Sequence, residues 1–154
     1  AEECESNLEY ALHHYRINAD SVVACLSLLA TNFEEQGHGV LAVIGSVAGD
    51  RGRQSNYWYG SAKASVESFA SGLRARLFQS GAHVLTIKPG FVDSPMTEHL
   101  EFPSALVASP EKVANDIVRA VEKQKNSIYT PWFWRYIMLL IQHVPEFIFK
   151  RLKF

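Results

Sequence analysis

Tyr59 and Lys63 are the first pair in this sequence that could do chemistry. They stand four residues apart in YWYGSAK, so a helix would set a phenol beside an ammonium on one face. A tyrosine in water ionises near pH ~10, and a nearby positive charge favours the phenolate and lowers that value. A phenol placed this way can act as a general acid or base near neutrality. Tyr57, two residues earlier, has Ser61 where Tyr59 has its lysine. Taken alone, the pair reads first as an ordinary contact on a helix surface.

The elements that must position the pair can be read from periodicity. Residues from about Glu5 to Phe33 repeat apolar side chains at helical spacing, and Gly37 and Gly39 stop that helix. GVLAVIG, 39–45, is short and almost wholly apolar, which predicts a strand covered on both faces. Tyr57 to Gln79 reads as a helix closed by Gly81, and HVLTIKP, 83–89, as a second buried strand. Ser109-Pro110-Glu111 is a helix start with proline in its first position, and the helix runs to about Lys123. SIYTP, 127–131, predicts a third strand. This alternation predicts an α/β fold with a parallel sheet.

Open parallel sheets bind ligands beyond the carboxyl ends of their strands. Ser46 stands at the end of the first strand, and Pro89 and Gly90 at the end of the second. Tyr59 and Lys63 lie in the opening turns of the helix between them, so all can converge at one edge. Ser46 reads equally as a cap or a turn hydroxyl. Asn18 falls on the apolar face of the first helix, where a polar side chain needs partners. It is either a satisfied buried amide or a group that bonds backbone or water beside a site.

Composition narrows the classes. A chain of 154 residues fits one domain, and 47% apolar content is that of a folded protein. A net charge of -1 gives no argument for nucleic acid. Cys4 and Cys25 have neither a CxxC spacing nor a partner histidine, so no metal site is expected and both read as reduced cytosolic thiols. No signal-peptide pattern opens the sequence, and no apolar run reaches the ~18 residues of a membrane span, so a cytoplasmic location is expected.

Asn18, Ser46, Tyr59-x-x-x-Lys63 and Pro89-Gly90, in that order and at those intervals, resemble the catalytic half of a short-chain dehydrogenase/reductase. IGSVAG, YGSAKASVESFASGLRARL and VLTIKPGFVDSPM are similar to that family's flanking text, and the resemblance covers about Tyr15 to Pro131. It implies an NAD- or NADP-dependent oxidoreductase acting on an alcohol/carbonyl pair, with no basis for choosing between the two cofactors. Tyr59 would be the acid in reduction or the base in oxidation. Lys63 would lower the Tyr59 pKa and bond the nicotinamide ribose. Ser46 would hold the substrate carbonyl, and Asn18 would bind a water that links Lys63 to solvent. Pro89, Gly90, Val92 and Ser94 would line the nicotinamide pocket. Ser94 stands where the family usually has a threonine.

The family opens with a strand, a glycine-rich turn and a helix that hold the pyrophosphate, and no such turn precedes the first helix here. The expectation is therefore the C-terminal half of a Rossmann-like doubly wound parallel sheet, with the first nucleotide-binding half missing. The 154 residues alone are expected to bind cofactor poorly and to be inactive. The alternative is a non-catalytic module kept for oligomerisation or interaction. Gly60, Ala64 and Ser68 at four-residue steps would allow close helix approach, and the resemblance implies a homo-oligomer paired through such helices.

Residues 1–130 read as the catalytic half, and 131–154 as an apolar and basic tail. Trp132, Phe133, Trp134, Ile137, Leu139 and Leu140 would form an apolar surface, with Arg135, Lys150, Arg151 and Lys153 beside it. Such a segment either lies in a membrane interface or packs on its own domain or a partner subunit. The tail and RGRQSNYWYGSAKA resemble a subgroup of short-chain reductases that reduce a 2-keto pentose on decaprenyl phosphate. That resemblance implies a lipid-linked carbonyl substrate and peripheral membrane contact, beside the simpler expectation of a small-molecule carbonyl.

Overall fold

The computed structural model describes residues 2–95 and 103–152; Met96 of the VLTIKPGFVDSPM stretch and Lys153 of the tail lie outside the described residues. Two helices, α1 (Glu2–Ser6) and α2 (Leu8–Tyr15), lead through a π-helical turn (Arg16–Asp20) into α3 (Ser21–Gln36). β1 (Val40–Ile44), α4 (Tyr57–Leu77) and β2 (His83–Pro89) follow. Two short strands, β3 (Phe91–Val92) and β4 (Val107–Ala108), pair in parallel. α5 (Pro110–Glu122), β5 (Ser127–Thr130), α6 (Trp134–His143) and α7 (Glu146–Phe149) complete the chain.

The long first helix expected from periodicity is divided, for two local reasons. Asn7 accepts the Tyr10 N–H at 3.0 Å and starts α2 afresh as its N-cap. Farther on, the Asn18 amide donates to the His14 carbonyl and the Ser21 hydroxyl to the Ile17 carbonyl, at 3.0 and 2.6 Å. Side chains that bond back to the preceding turn compete with the backbone ladder. The Ser21 N–H reaches the Arg16 carbonyl instead, which inserts the π turn.

β1, β2 and β5 form a parallel sheet in the order β1-β2-β5, with Leu41 opposite Val84 and Ile87 opposite Ile128. β2 lies in the middle and is buried on both faces. One face packs Leu41, Val43 and Val84 under α3 and α4, through Leu26, Ala30, Val66 and Leu77. The other packs Leu85 and Ile87 under α5, through Ile117, Ala120 and Val121. β1 was expected to be covered on both faces. Instead Ala42 and Ile44 are exposed, because α5 lies over β2 and β5 and does not extend to them.

α6 packs on the carboxyl end of this sheet. Trp134, 3% exposed, and Met138 sit against Val47, Phe91, Leu106 and Tyr129. Trp134 is thus core, whereas Trp132 and Leu140 remain 68% and 73% exposed. Arg51, in the loop after β1, fastens the end of α6. Its guanidinium donates to the carbonyls of Ile141 at 2.5 Å, Gln142 at 3.2 Å and Val144 at 2.7 Å, and lies 3.6 Å from the Phe149 ring centroid. Charged donors on helix-end carbonyls are stronger than neutral bonds. Arg51→Met should therefore raise amide exchange across 134–149 by about tenfold, a loss on the order of 1.4 kcal/mol, with β1 and β2 unchanged. Peptide-resolved hydrogen exchange reads both regions.

Candidate active site

Ser46 leaves β1 in extended conformation and caps the 3-10 turn Val47–Gly49. Its hydroxyl oxygen accepts the Ala48 N–H at 3.1 Å, so the cap reading of Ser46 holds. The cap uses only the oxygen lone pair and leaves the hydroxyl proton to be donated. The Ser46 side chain favours the ionised form of the Tyr59 phenol, so the cap and a place beside the phenol are compatible.

α4 brings Tyr59, Lys63 and Glu67 to the same face at four-residue steps. The helix approaches the loop closely because Gly60 has no side chain: a Cβ there would lie 2.8 Å from the Ala48 carbonyl oxygen. A small residue at 60 is thus required by this contact within the chain. The Lys63 ammonium donates to the Ile44 carbonyl at 3.2 Å and lies 5.6 Å from the Tyr59 ring centroid. Ser46, Tyr59 and Lys63 are brought together.

The electrostatics differ from the expectation that Lys63 lowers the Tyr59 pKa. Burial holds the Tyr59 phenol above its ordinary value; the Ser46 hydrogen bond opposes this, and the charge of Glu67 adds to it. Burial lowers the Lys63 pKa, and Glu67 opposes that shift. Desolvation is the largest influence on both groups because both sit away from water.

Four charged or polar groups behind the serine were not singled out from sequence. The Glu67 carboxylate accepts the Ser46 N–H at 2.9 Å and meets the Lys88 ammonium at 2.8 Å. Lys88 also meets Asp50 at 2.5 Å, and the Tyr129 hydroxyl donates to Asp50 at 2.9 Å. Burial raises the Glu67 pKa, against the effects of Lys88 and the Ser46 amide. For Lys88, burial alone would lower the value, but Asp50 and Glu67 together raise it. Burial also pushes Tyr129 up to about 12. Glu67 was legible as the next four-residue step after Tyr59 and Lys63; Asp50 and Tyr129 had no comparable signal.

The remaining candidates lie around this centre. Asn18 is half-buried in the π turn, which packs against α4, and its amide bonds its own helix at His14. Pro89 ends β2, and the Gly90 N–H donates to the Thr130 carbonyl at 3.0 Å. Val92 pairs opposite Ala108 in β3, and Ser94 follows two residues later, half-buried. No group of three or more His, Cys, Asp or Glu side chains able to hold a metal occurs among the described residues.

The family model for short chain dehydrogenase matches residues 4–103, and the chain belongs to that family. An uncharacterized oxidoreductase of Mycobacterium tuberculosis is 40% identical over 130 residues, 84% of this chain and 52% of that protein. Another, of Streptomyces coelicolor, is 33% identical over 135 residues, 88% of this chain and 53% of that protein. The chain therefore spans about half the length of the curated relatives it matches. A short chain dehydrogenase from Burkholderia cenocepacia, solved in complex with NADP, superposes with a TM-score of 0.81 at 16% identity, over 94% of this chain and 60% of that one. That likeness supports the α/β fold with its parallel sheet.

Lys88→Met would strand the Glu67 and Asp50 carboxylates without their common cation. The expected cost is about 3–5 kcal/mol at pH ~8. Lys88 has a folded pKa above its ordinary 10.5, so its contribution is intact below that value and lost only as pH rises through the folded pKa. Glu67 also has a raised pKa, so its neutral form is favoured by the fold and acid relieves the stranded charge. The deficit of the variant should therefore shrink toward pH ~4, as denaturant unfolding at the two pH values will show.

Proposed function

We propose that this member of the short-chain dehydrogenase family is an NAD(P)-dependent oxidoreductase that interconverts a carbonyl and a secondary alcohol, with Tyr59 as general acid/base. The observation that carries the reading is the grouping of the Tyr59 phenol, the Ser46 hydroxyl and the Lys63 ammonium at the carboxyl edge of a parallel sheet. The substrate carbonyl oxygen is received between the Ser46 and Tyr59 hydroxyls. A bound nicotinamide cofactor supplies the hydride that reaches the carbonyl carbon. Tyr59 gives its proton to the oxygen as the alkoxide charge develops. Ser46, with its lone pair committed to the Ala48 N–H, donates to the same oxygen and then to the Tyr59 phenolate. The raised Tyr59 pKa keeps the phenol protonated at neutrality, the form an acid requires.

The donor set fits a nicotinamide riboside. An ammonium has three N–H donors; the Ile44 carbonyl takes one of those on Lys63, and the others suit ribose hydroxyls. Pro89 and Gly90 would flank the nicotinamide, the backbone near Val92 would meet its carboxamide, and Ser94 would add a hydroxyl. Asn18 would hold a water that returns protons to Lys63. NAD and NADP are equally compatible with these residues. The non-catalytic alternative is not favoured, since every side chain needed for proton transfer is present.

A lipid-linked keto sugar is the finer reading of the substrate, with 131–154 as a peripheral membrane segment distinct from the catalytic half. It is supported by exposed Trp132, Tyr136, Leu139 and Leu140 on and beside α6, with Arg135, Lys150 and Arg151 in the same segment of the sequence. No helix among the described residues is long and apolar enough to cross a membrane. A homo-oligomer is supported by exposed Leu8, Leu12, Leu28 and Leu29 on α2 and α3, which a second subunit would cover.

Tyr59→Phe should lower turnover in the active protein by about 10²–10⁴-fold, since it removes the proton and keeps the ring. Lys63→Met should reduce turnover and cofactor affinity together, and Ser46→Ala mainly the chemical step. Steady-state kinetics with NADH or NADPH and a panel of ketones decides this; a Tyr59→Phe enzyme of normal turnover excludes the mechanism. For the tail, anionic vesicles should co-sediment the protein at low salt and release it as salt rises. Substituting Trp132 and Leu140 by serine should abolish that binding. A protein that stays in the supernatant throughout argues for a protein partner at this surface.

A further inference from the structure

We propose that Glu67 is a positioning residue for the serine: its buried carboxylate holds the Ser46 backbone and, through Lys88, sets that residue against the Pro89–Gly90 end of β2. The inference rests on the oxidoreductase reading above and adds to it a residue that never touches substrate.

Both carboxylate oxygens are engaged. One accepts the Ser46 N–H at 2.9 Å, and the other meets the Lys88 ammonium at 2.8 Å. The loop is also shaped around the group. A Cβ on Gly45 would lie 2.5 Å from the Glu67 carboxylate, and one on Gly49 would lie 2.8 Å away. The glycines on either side of Ser46 therefore leave room for this one side chain. Lys88 immediately precedes Pro89, so the same ion pair ties the serine loop to the strand end assigned to the nicotinamide.

The Ser46 N–H is a donor held away from water that needs an acceptor, and Glu67 supplies it. Here the bond holds the Ser46 backbone, and with it the hydroxyl that points at Tyr59. A displacement of about 1 Å in such a group can cost on the order of a hundredfold in rate. The charges facing Glu67 are Lys63 and Tyr59 on its own helix, Lys88 on β2 and Asp50 in the loop, with Tyr129 of β5 reaching it through Asp50. Because Glu67 raises both Tyr59 and Lys63, removing its charge should move the Tyr59 limb of the pH–rate profile to lower pH.

The test is a double-mutant cycle in the active protein, with a nicotinamide cofactor and a ketone that it turns over. Glu67→Ala should lower kcat by about a hundredfold with KM within about threefold. In a Ser46→Ala background the same change should cost less than about threefold, because the group it positions is already gone. Glu67→Gln keeps an acceptor oxygen and should recover much of kcat, with the profile moved to lower pH. Equal losses in the two backgrounds overturn the proposal. Independently of turnover, the Ser46 amide proton followed by NMR should shift as Glu67 titrates, and that response should vanish in Glu67→Gln. An amide that ignores the substitution also overturns it. If the parent protein oxidises no cofactor, the oxidoreductase reading fails while the NMR measurement still decides the role of Glu67.

Discussion

One lysine ammonium, shared by two buried carboxylates, is the contact on which the arrangement of the site depends. Lys88 closes on Asp50 and Glu67 at the carboxyl end of the central strand, and their side chains are 2% and 9% exposed. Two carboxylates so near each other could not both stay ionised without a cation between them. Such a cluster adds little net stability compared with an apolar replacement of equal volume. What it provides is geometry: the loop after β1, α4, β2 and, through Tyr129, β5 meet at one point. Ser46, Tyr59 and Lys63 come from two of those elements, and Pro89–Gly90 from a third. Their relative placement follows from a few short, directional contacts rather than from hydrophobic burial, which has no direction.

The end of the chain divides between two environments. Trp134, Met138 and Ile141 on one side of α6 pack toward Val47 and Phe91, while Tyr136, Leu139 and Leu140 face outward. The packing reading drawn from the sequence therefore holds for one side of α6, and the other side is an exposed apolar face. The outward set is narrower than expected because Trp134 belongs to the core and Phe133 and Ile137 pack against it. Arg51 joins this helix to the loop that carries Ser46, five positions away in the chain, so the exposed face is mechanically close to the site.

Much of this was legible in the sequence. The strands at 40–44, 83–89 and 127–130 announced themselves as short apolar runs between glycine, proline and serine signals, and α4 and α5 by their starts and stops. The meeting of Ser46, Tyr59 and Lys63 followed from strand ends and the four-residue helical step. Other features depended on contacts that a linear reading does not contain. The π turn arises from two side chains bonding back to carbonyls, which periodicity cannot register. The exposure of Ala42 and Ile44 depends on where α5 ends in space. The raised pKa of Tyr59 is a balance between desolvation and charge, whose sign requires knowing how deep the phenol lies. Asp50 and Tyr129 are 79 positions apart, and nothing in either neighbourhood points to the other.

Gly90 and Trp134 form a different kind of pair. A Cβ on Gly90 would fall 1.9 Å from the Trp134 indole nitrogen, inside any tolerable contact. A side chain at 90 would thus demand a smaller one at 134, and an indole at 134 forbids anything but glycine at 90. The constraint runs one way: while Trp134 is in place residue 90 must be glycine, whereas a smaller residue at 134 leaves Gly90 unstrained. A side chain could enter position 90 only after 134 had become smaller, so the order of the two changes is fixed. Residues 44 positions apart, one in the turn after β2 and one opening α6, are in that sense ordered steps of a single change.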